Sequence, residues 1–213
     1  MERSAKKAKL MNASRFFASP SAILVADASI VINLNASGRA REIIRALAHR
    51  LVVTGNAVTE LEAGERNGHG DARQLQDLIN AGLVGRVEIG GIGAPIYESL
   101  IDGSARLTLD DGEAATIACA VEAGAFALLD ERKARSLCAA SFAALPLGCT
   151  AEMLLHPAVA AALTSEHVAT VVRTLQVGRM RVPPEFVGDL ATLIGPEHAA
   201  TCASLPKAAR KTA

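Results

Sequence analysis

Four carboxylates in this chain stand where an α/β chain places its chemistry. Asp27 directly follows the apolar run 22–26 (AILVA), and Asp130 directly follows 126–129 (FALL). Each run reads as a buried strand. In open parallel sheets, ligands bind beyond the carboxyl ends of strands. Glu60 falls in the first turns of a helix that follows a second strand. Glu113 falls in the first turn of the helix that precedes the Asp130 strand. Gathered at one sheet edge, four carboxylates repel strongly unless a cation neutralises them. An oxygen-rich acidic site suits Mg²⁺ or Mn²⁺. Such ions activate water and stabilise the charge that develops as a phosphodiester is cleaved.

The elements that must position these groups alternate between strand and helix. The stretch 39–50 puts Ile43, Ile44 and Leu47 on one face and reads as an amphipathic helix. Strand 51–53 and a turn at Gly55-Asn56 lead to the helix bearing Glu60. Residues 72–81 form a further helix, with Asp71 as N-cap and Gly82 just past its end. A weaker strand spans 84–89 and is broken by Gly90 to Pro95. The Ala-rich helix 112–123 is opened by Asp110 or Asp111 and closed by Gly124. A short basic helix (131–140) follows Asp130, and Leu145–Leu147 forms a last short strand. This order predicts a mainly parallel sheet with helices on both faces, a three-layer α/β/α arrangement. Beyond about residue 150 only helices are expected, one capped by Thr164 or Ser165 and a second after the break at Pro183-Pro184. The expected division is a flexible basic tail (1–20), an α/β domain (21–150), and a helical extension (151–213) that packs on the domain and ends in disorder.

Half of the 213 residues are hydrophobic, enough for one sizeable core built mainly from Ala, Leu, Val and Ile. The chain has no Trp, one Tyr and five Phe, which argues against stacking platforms as the main device for gripping single-stranded bases. Lys plus Arg and Asp plus Glu balance at 22 each, so only a local basic rim, and no overall field, is available to a nucleic acid. Arg132, Lys133 and Arg135 are the candidates for that rim, either as phosphate contacts or simply as a solvated helix face. Cys119, Cys138, Cys149 and Cys202 show neither a CxxC pair nor zinc spacing, which points to reduced cysteines and a cytoplasmic location. No apolar run approaches the roughly 20 residues of a membrane span, so no membrane partner is expected.

Several blocks resemble the PIN-domain family. The stretch 22–34 (AILVADASIVINL) is similar to the opening of PIN domains, with Asp27 and Ser29 at the acidic and hydroxyl positions. The stretch 51–64 (LVVTGNAVTELEAG) resembles the second block, with Glu60 the better match and Glu62 the alternative. The stretch 109–135 (LDDGEAATIACAVEAGAFALLDERKAR) resembles a subfamily with a Gly-Glu-Ala helix, in which Glu113 takes the place usually held by Asp and Asp130 is the fourth acid. The stretch around 175–190 is similar to that subfamily's closing segment, whereas 149–163 departs from it. The resemblance implies a fold of PIN type with a helical C-terminal appendage. It implies a Mg²⁺- or Mn²⁺-dependent ribonuclease with Asp27, Glu60, Glu113 and Asp130 as ligands. It further implies RNA as substrate, a possible toxin–antitoxin pairing with an antitoxin protein, and a possible homodimer.

Each residue also has a plainer reading. Asp27 could merely end a strand, and Ser29 could merely cap a helix. Asp111 reads as a cap or as a support for the site. Two rival functions stand beside the nuclease: a PIN-like binding module without activity, and a haloacid-dehalogenase-like phosphatase. The latter expects a second acid where Ser29 stands.

Overall fold

The computed structural model describes residues 22–104, 108–178 and 180–211. The basic tail expected at 1–20 and the last residues of the chain lie outside this range. Five strands form one wholly parallel sheet in the order β3-β2-β1-β4-β5. They are β1 (Ile23–Ala26), β2 (Arg50–Thr54), β3 (Val84–Val87), β4 (Phe126–Leu128) and β5 (Leu147–Gly148). Between β1 and β4 the winding reverses direction, so this boundary is the topological switch point where such sheets open a crevice.

Period-two alternation along the strands divides the core. Leu24, Ala26, Leu51, Val53, Phe126 and Leu128 face one side. Val25, Val52, Ala127 and Leu129 face the other. The first face is covered by α1 (Ala28–Ser37), α2 (Ala40–Leu47), α3 (Gly55–Glu65) and α4 (Asp71–Asn80). The second is covered by α5 (Gly93–Ile101), α6 (Asp111–Ala123) and α7 (Arg132–Ser141). The three-layer α/β/α architecture expected from the sequence is therefore the one observed.

After β5 come α8 (Thr150–Leu155), α9 (Pro157–Leu163), a 3₁₀ turn (Thr164–Glu166) and α10 (His167–Val177). Next follow α11 (Pro184–Thr201), interrupted at Gly195, and α12 (Lys207–Lys211). At Gly195 the left-handed φ of 76° ends one helix and Pro196 starts the next. Met153, Leu154, Leu175, Leu190 and Ile194 join Leu24, Leu34 and Leu128 in one continuous buried cluster.

Two local differences from the sequence expectation have clear causes. The Gly90–Pro95 break is followed at once by helix α5, because Pro95 sits in its first turn, where the missing N–H has no intrahelical partner to lose. The Glu122 carboxylate accepts from the amides of Gly90 (2.9 Å), Gly93 (3.1 Å) and Ile92 (3.4 Å), which fixes the entry to that helix. At the start of α4, Asp71 is the first helical residue rather than the N-cap, which is Gly70. The Asp71 carboxylate instead accepts from Asn35 Nδ2 at 3.0 Å.

Candidate metal centre

Asp27 emerges from the central strand as the N-cap of α1. Its Oδ2 accepts from Ser29 Oγ at 2.7 Å and from the Ser29 amide at 3.2 Å. Its Oδ1 is buried and has no hydrogen-bond partner among the described residues. An orphaned carboxylate oxygen is costly to bury without a compensating donor or cation.

That oxygen faces Glu60 across Gly112. A Cβ built on Gly112 would lie 2.7 Å from Glu60 Oε2 and 3.2 Å from Asp27 Oδ1. The two oxygens thus flank a small cradle that stays open only because residue 112 has no side chain. Glu60 is presented by α3, whose start is held by the Thr54 hydroxyl accepting from the Ala57 amide at 3.1 Å. Glu62, two residues on, lines a groove with Glu65, Arg73 and Arg86 instead.

Glu113 is buried in the first turn of α6. Asp110, the N-cap of that helix, accepts from the Glu113 amide at 2.9 Å. Asp110 also acts electrostatically on Asp27, Glu60 and Glu113, so the cap belongs to the acidic group. Asp111 does not cap. It accepts from Asn56 Nδ2 at 2.9 Å and from the Tyr97 hydroxyl, tying the starts of α3 and α6 to α5.

Asp130 is placed beyond β4 at the same edge, 4% exposed. Both of its oxygens are engaged by the protein. Oδ1 accepts from the Thr150 amide at 2.8 Å, and Oδ2 accepts from Thr150 Oγ at 2.6 Å and Asn33 Nδ2 at 2.7 Å.

Crowding and burial show in the acidities. Burial pushes Glu113 up to about 8, with Asp110, Asp27 and Glu131 adding repulsion. Burial pushes Glu60 up to about 7, aided by Asp27, Asp110 and Asp111. Asp130 rises to about 6 through burial, opposed by its Thr150 and Asn33 donors. Asp27 is also raised by burial, against the two Ser29 donors. Among the described residues no three His, Cys, Asp or Glu side chains converge tightly on one point. Repulsion among these carboxylates opposes such convergence when no cation is present. The residues nonetheless fit a hard divalent cation. The donor set is all oxygen, an orphaned Asp27 oxygen faces the cradle, and a glycine keeps the cradle clear.

The basic helix after Asp130 divides its roles. Arg135 donates to the Leu129 and Gly148 carbonyls and to Glu185, so its guanidinium knits β4, β5 and α11 together. Lys133 donates to the Thr108 carbonyl. Arg132 is exposed and lines a groove of about 770 Å³ together with Asp130, Arg181, Pro183 and Leu205. Arg181 on this groove pairs with Glu131 at 2.7 Å.

Asp110, Gly112, Asn33 and Thr150 are site residues that the sequence reading did not single out as such. Two signals were present. Asn33 is a polar residue inside the apolar run IVINL, and Thr150 follows β5 much as Asp27 follows β1 and Asp130 follows β4.

A parallel sheet with buried carboxylates at its switch point places these acids where open α/β sheets bind their ligands. The family model described as a PIN domain matches residues 23–195, and the chain belongs to the PIN-domain family. No curated protein and no solved structure matches the chain. PIN domains are generally nucleases that use divalent metals.

Proposed function

We propose that this protein is a Mg²⁺- or Mn²⁺-dependent ribonuclease whose ion is held by Asp27, Glu60 and Glu113, with Asp130 beside them. The observation that carries this reading is the open cradle at Gly112, flanked by Asp27 Oδ1 and Glu60 Oε2. When bound, the ion would supply the activation of water and neutralise charge on the phosphate. Ser29 fixes the Asp27 rotamer so that Oδ1 points inward. The lowered acidities of Glu60 and Glu113, whose pKa values are pushed up to about 7 and about 8, mean that protons leave both carboxyls as the ion is taken up. Arg132, exposed on the groove that Asp130 also lines, supports the reading as a phosphate contact. Family membership and the role of Ser29 as a donor to Asp27 both count against the phosphatase alternative.

The resemblance favours RNA as substrate, and it also favours an antitoxin partner and a homodimer. A cytoplasmic location agrees with four buried free cysteines, and no helix among the described residues is long and apolar enough to cross a membrane. The test is cleavage of an end-labelled single-stranded RNA with Mn²⁺, with Mg²⁺ and with chelator. Asp27→Asn should lose more than the roughly 100-fold that removal of an outer-shell partner costs. Cleavage that persists in chelator would refute the reading. A wild type that binds Mn²⁺ in calorimetry yet cuts no RNA would instead favour a binding module.

A further inference from the structure

The nuclease reading names Asp130 as an acid of the site but does not say what holds its carboxylate there. We infer that Asn33 and Thr150 are positioning residues for Asp130, and that Gly178 is a glycine in order to leave room for the Asn33 amide. The inference rests on the nuclease reading for its purpose and on geometry for its content.

A carboxylate offers about four lone-pair directions. Three of those on Asp130 are taken by the Thr150 amide, Thr150 Oγ and Asn33 Nδ2, at 2.8, 2.6 and 2.7 Å. Two oxygens held by donors from two different elements cannot rotate without breaking bonds. One lone pair, on Oδ1, is left without a protein donor. Asp130 would help to hold a cation beside Asp27, Glu60 and Glu113 with its carboxylate fixed in this orientation. Asn33 Nδ2 also reaches Thr150 Oγ at 3.5 Å, which closes the triangle of side chains.

Asn33 makes this contact at a cost. It is 1% exposed, and its Oδ1 has no partner among the described residues. A buried unsatisfied acceptor is unfavourable, and an apolar side chain of the same shape would avoid it. Fold stability alone does not account for an asparagine here, whereas the need for a donor to Asp130 does. The amide cannot flip to satisfy Oδ1, because that would turn an acceptor towards the carboxylate.

The same orphaned oxygen, together with the Thr174 carbonyl, leaves no room for a side chain at position 178. Its backbone is extended (φ −70°, ψ 157°), a conformation open to any residue, so glycine is not required for its dihedrals. A Cβ there would lie 2.5 Å from Asn33 Oδ1 and 2.7 Å from the Thr174 carbonyl. The end of α10 thus presses on the back of the residue that orients Asp130.

The experiment compares Thr150→Val, Thr150→Ser, Asn33→Leu and Gly178→Ala in the full chain. The readouts are Mn²⁺ calorimetry, melting temperature, and crystal structures without metal. Thr150→Val, Asn33→Leu and Gly178→Ala should each weaken Mn²⁺ binding by about 10–100-fold, the range for an outer-shell partner. Thr150→Ser, which keeps the hydroxyl, should bind as wild type does. Melting temperatures of Thr150→Val and Asn33→Leu should stay within about 4 °C of wild type, whereas that of Gly178→Ala should fall further, because its Cβ also meets the Thr174 carbonyl at 2.7 Å. The crystal structures should show the Asp130 carboxylate rotated in Thr150→Val and Asn33→Leu. If both keep Asp130 in place, or both bind Mn²⁺ as wild type does, the positioning role is overturned. If wild type takes up no Mn²⁺, the nuclease reading falls, and the position of Asp130 in the metal-free variants still decides the inference.

Discussion

Asp27 spends one oxygen on Ser29 and turns the other, unpartnered, towards Glu60. This makes Asp27 the residue most exposed to the loss of its own charge. Asp27→Asn keeps an acceptor for the two Ser29 donors and replaces the orphaned oxygen with an amide facing a carboxylate. Metal-free protein carrying it should be more stable by about 1 kcal/mol, read from chemical denaturation, while metal-dependent cleavage is lost. The raised pKa values of Glu60 and Glu113 set a pH dependence of definite sign. Between the ordinary value of 4.5 and their folded values of about 7 and 8, the folded protein holds protons that the unfolded chain has released. Their contribution to stability is therefore complete below about pH 4.5 and lost as pH rises through 7 and 8. Metal-free melting temperature should fall across that window, and Mn²⁺ affinity should rise across it because protons must leave first. A metal-free melting curve that is flat in pH would contradict the crowded acidic crevice.

At the scale of elements, the crevice is a contact between two helix starts. Helix α3 approaches α6 at Gly112, where a Cβ would come within 3.9 Å of Ala57 Cα. The pairing of Asn56 with Asp111 ties the same two starts together. Gly112→Ala should raise intrinsic helix propensity by up to about 1 kcal/mol and yet abolish Mn²⁺ uptake, because its methyl group occupies the cradle. Calorimetry alongside denaturation separates the two effects, and unchanged Mn²⁺ binding would show that the cradle is not where the ion sits. The elements themselves were largely legible from sequence. Strand ends at Asp27 and Asp130, and the glycine stop at Gly124, depend on local apolarity and local turn geometry. Helix α5 was less legible, since its glycine- and proline-rich start has weak local signals and is secured by Glu122 from the end of α6.

On the scale of the whole molecule, the C-terminal helices share the core of the sheet. Leu175 of α10 is 1% exposed and lies in the cluster that contains Leu24, Leu34 and Leu128. Leu175→Ala should cost about 2–5 kcal/mol and lower a single cooperative transition in calorimetry. A separate low-temperature transition for the helical extension would show instead that it folds independently. This packing also gives the extension access to the site, since Gly178 borders Asn33 and Glu185 holds Arg135.

By itself the sequence determined the alternation of strands and helices, the parallel sheet, and the acids at the strand ends. All of these follow from periodicity and from short-range chemistry. Only the tertiary structure decided among residues whose local contexts look alike. Glu60 rather than Glu62 meets Asp27, because their places on α3 point one to Gly112 and the other to a separate groove. Asp110 rather than Asp111 caps α6, because Asp111 is drawn away by Asn56 and Tyr97. Arg135 is spent on carbonyls brought near by β5, whereas Arg132 is left on the open groove. Asp130, which the sequence marked through its strand end and through the block around it, owes its orientation to Asn33 and Thr150, residues from distant parts of the chain. Such choices depend on distances between segments far apart in sequence, and no local pattern carries that information.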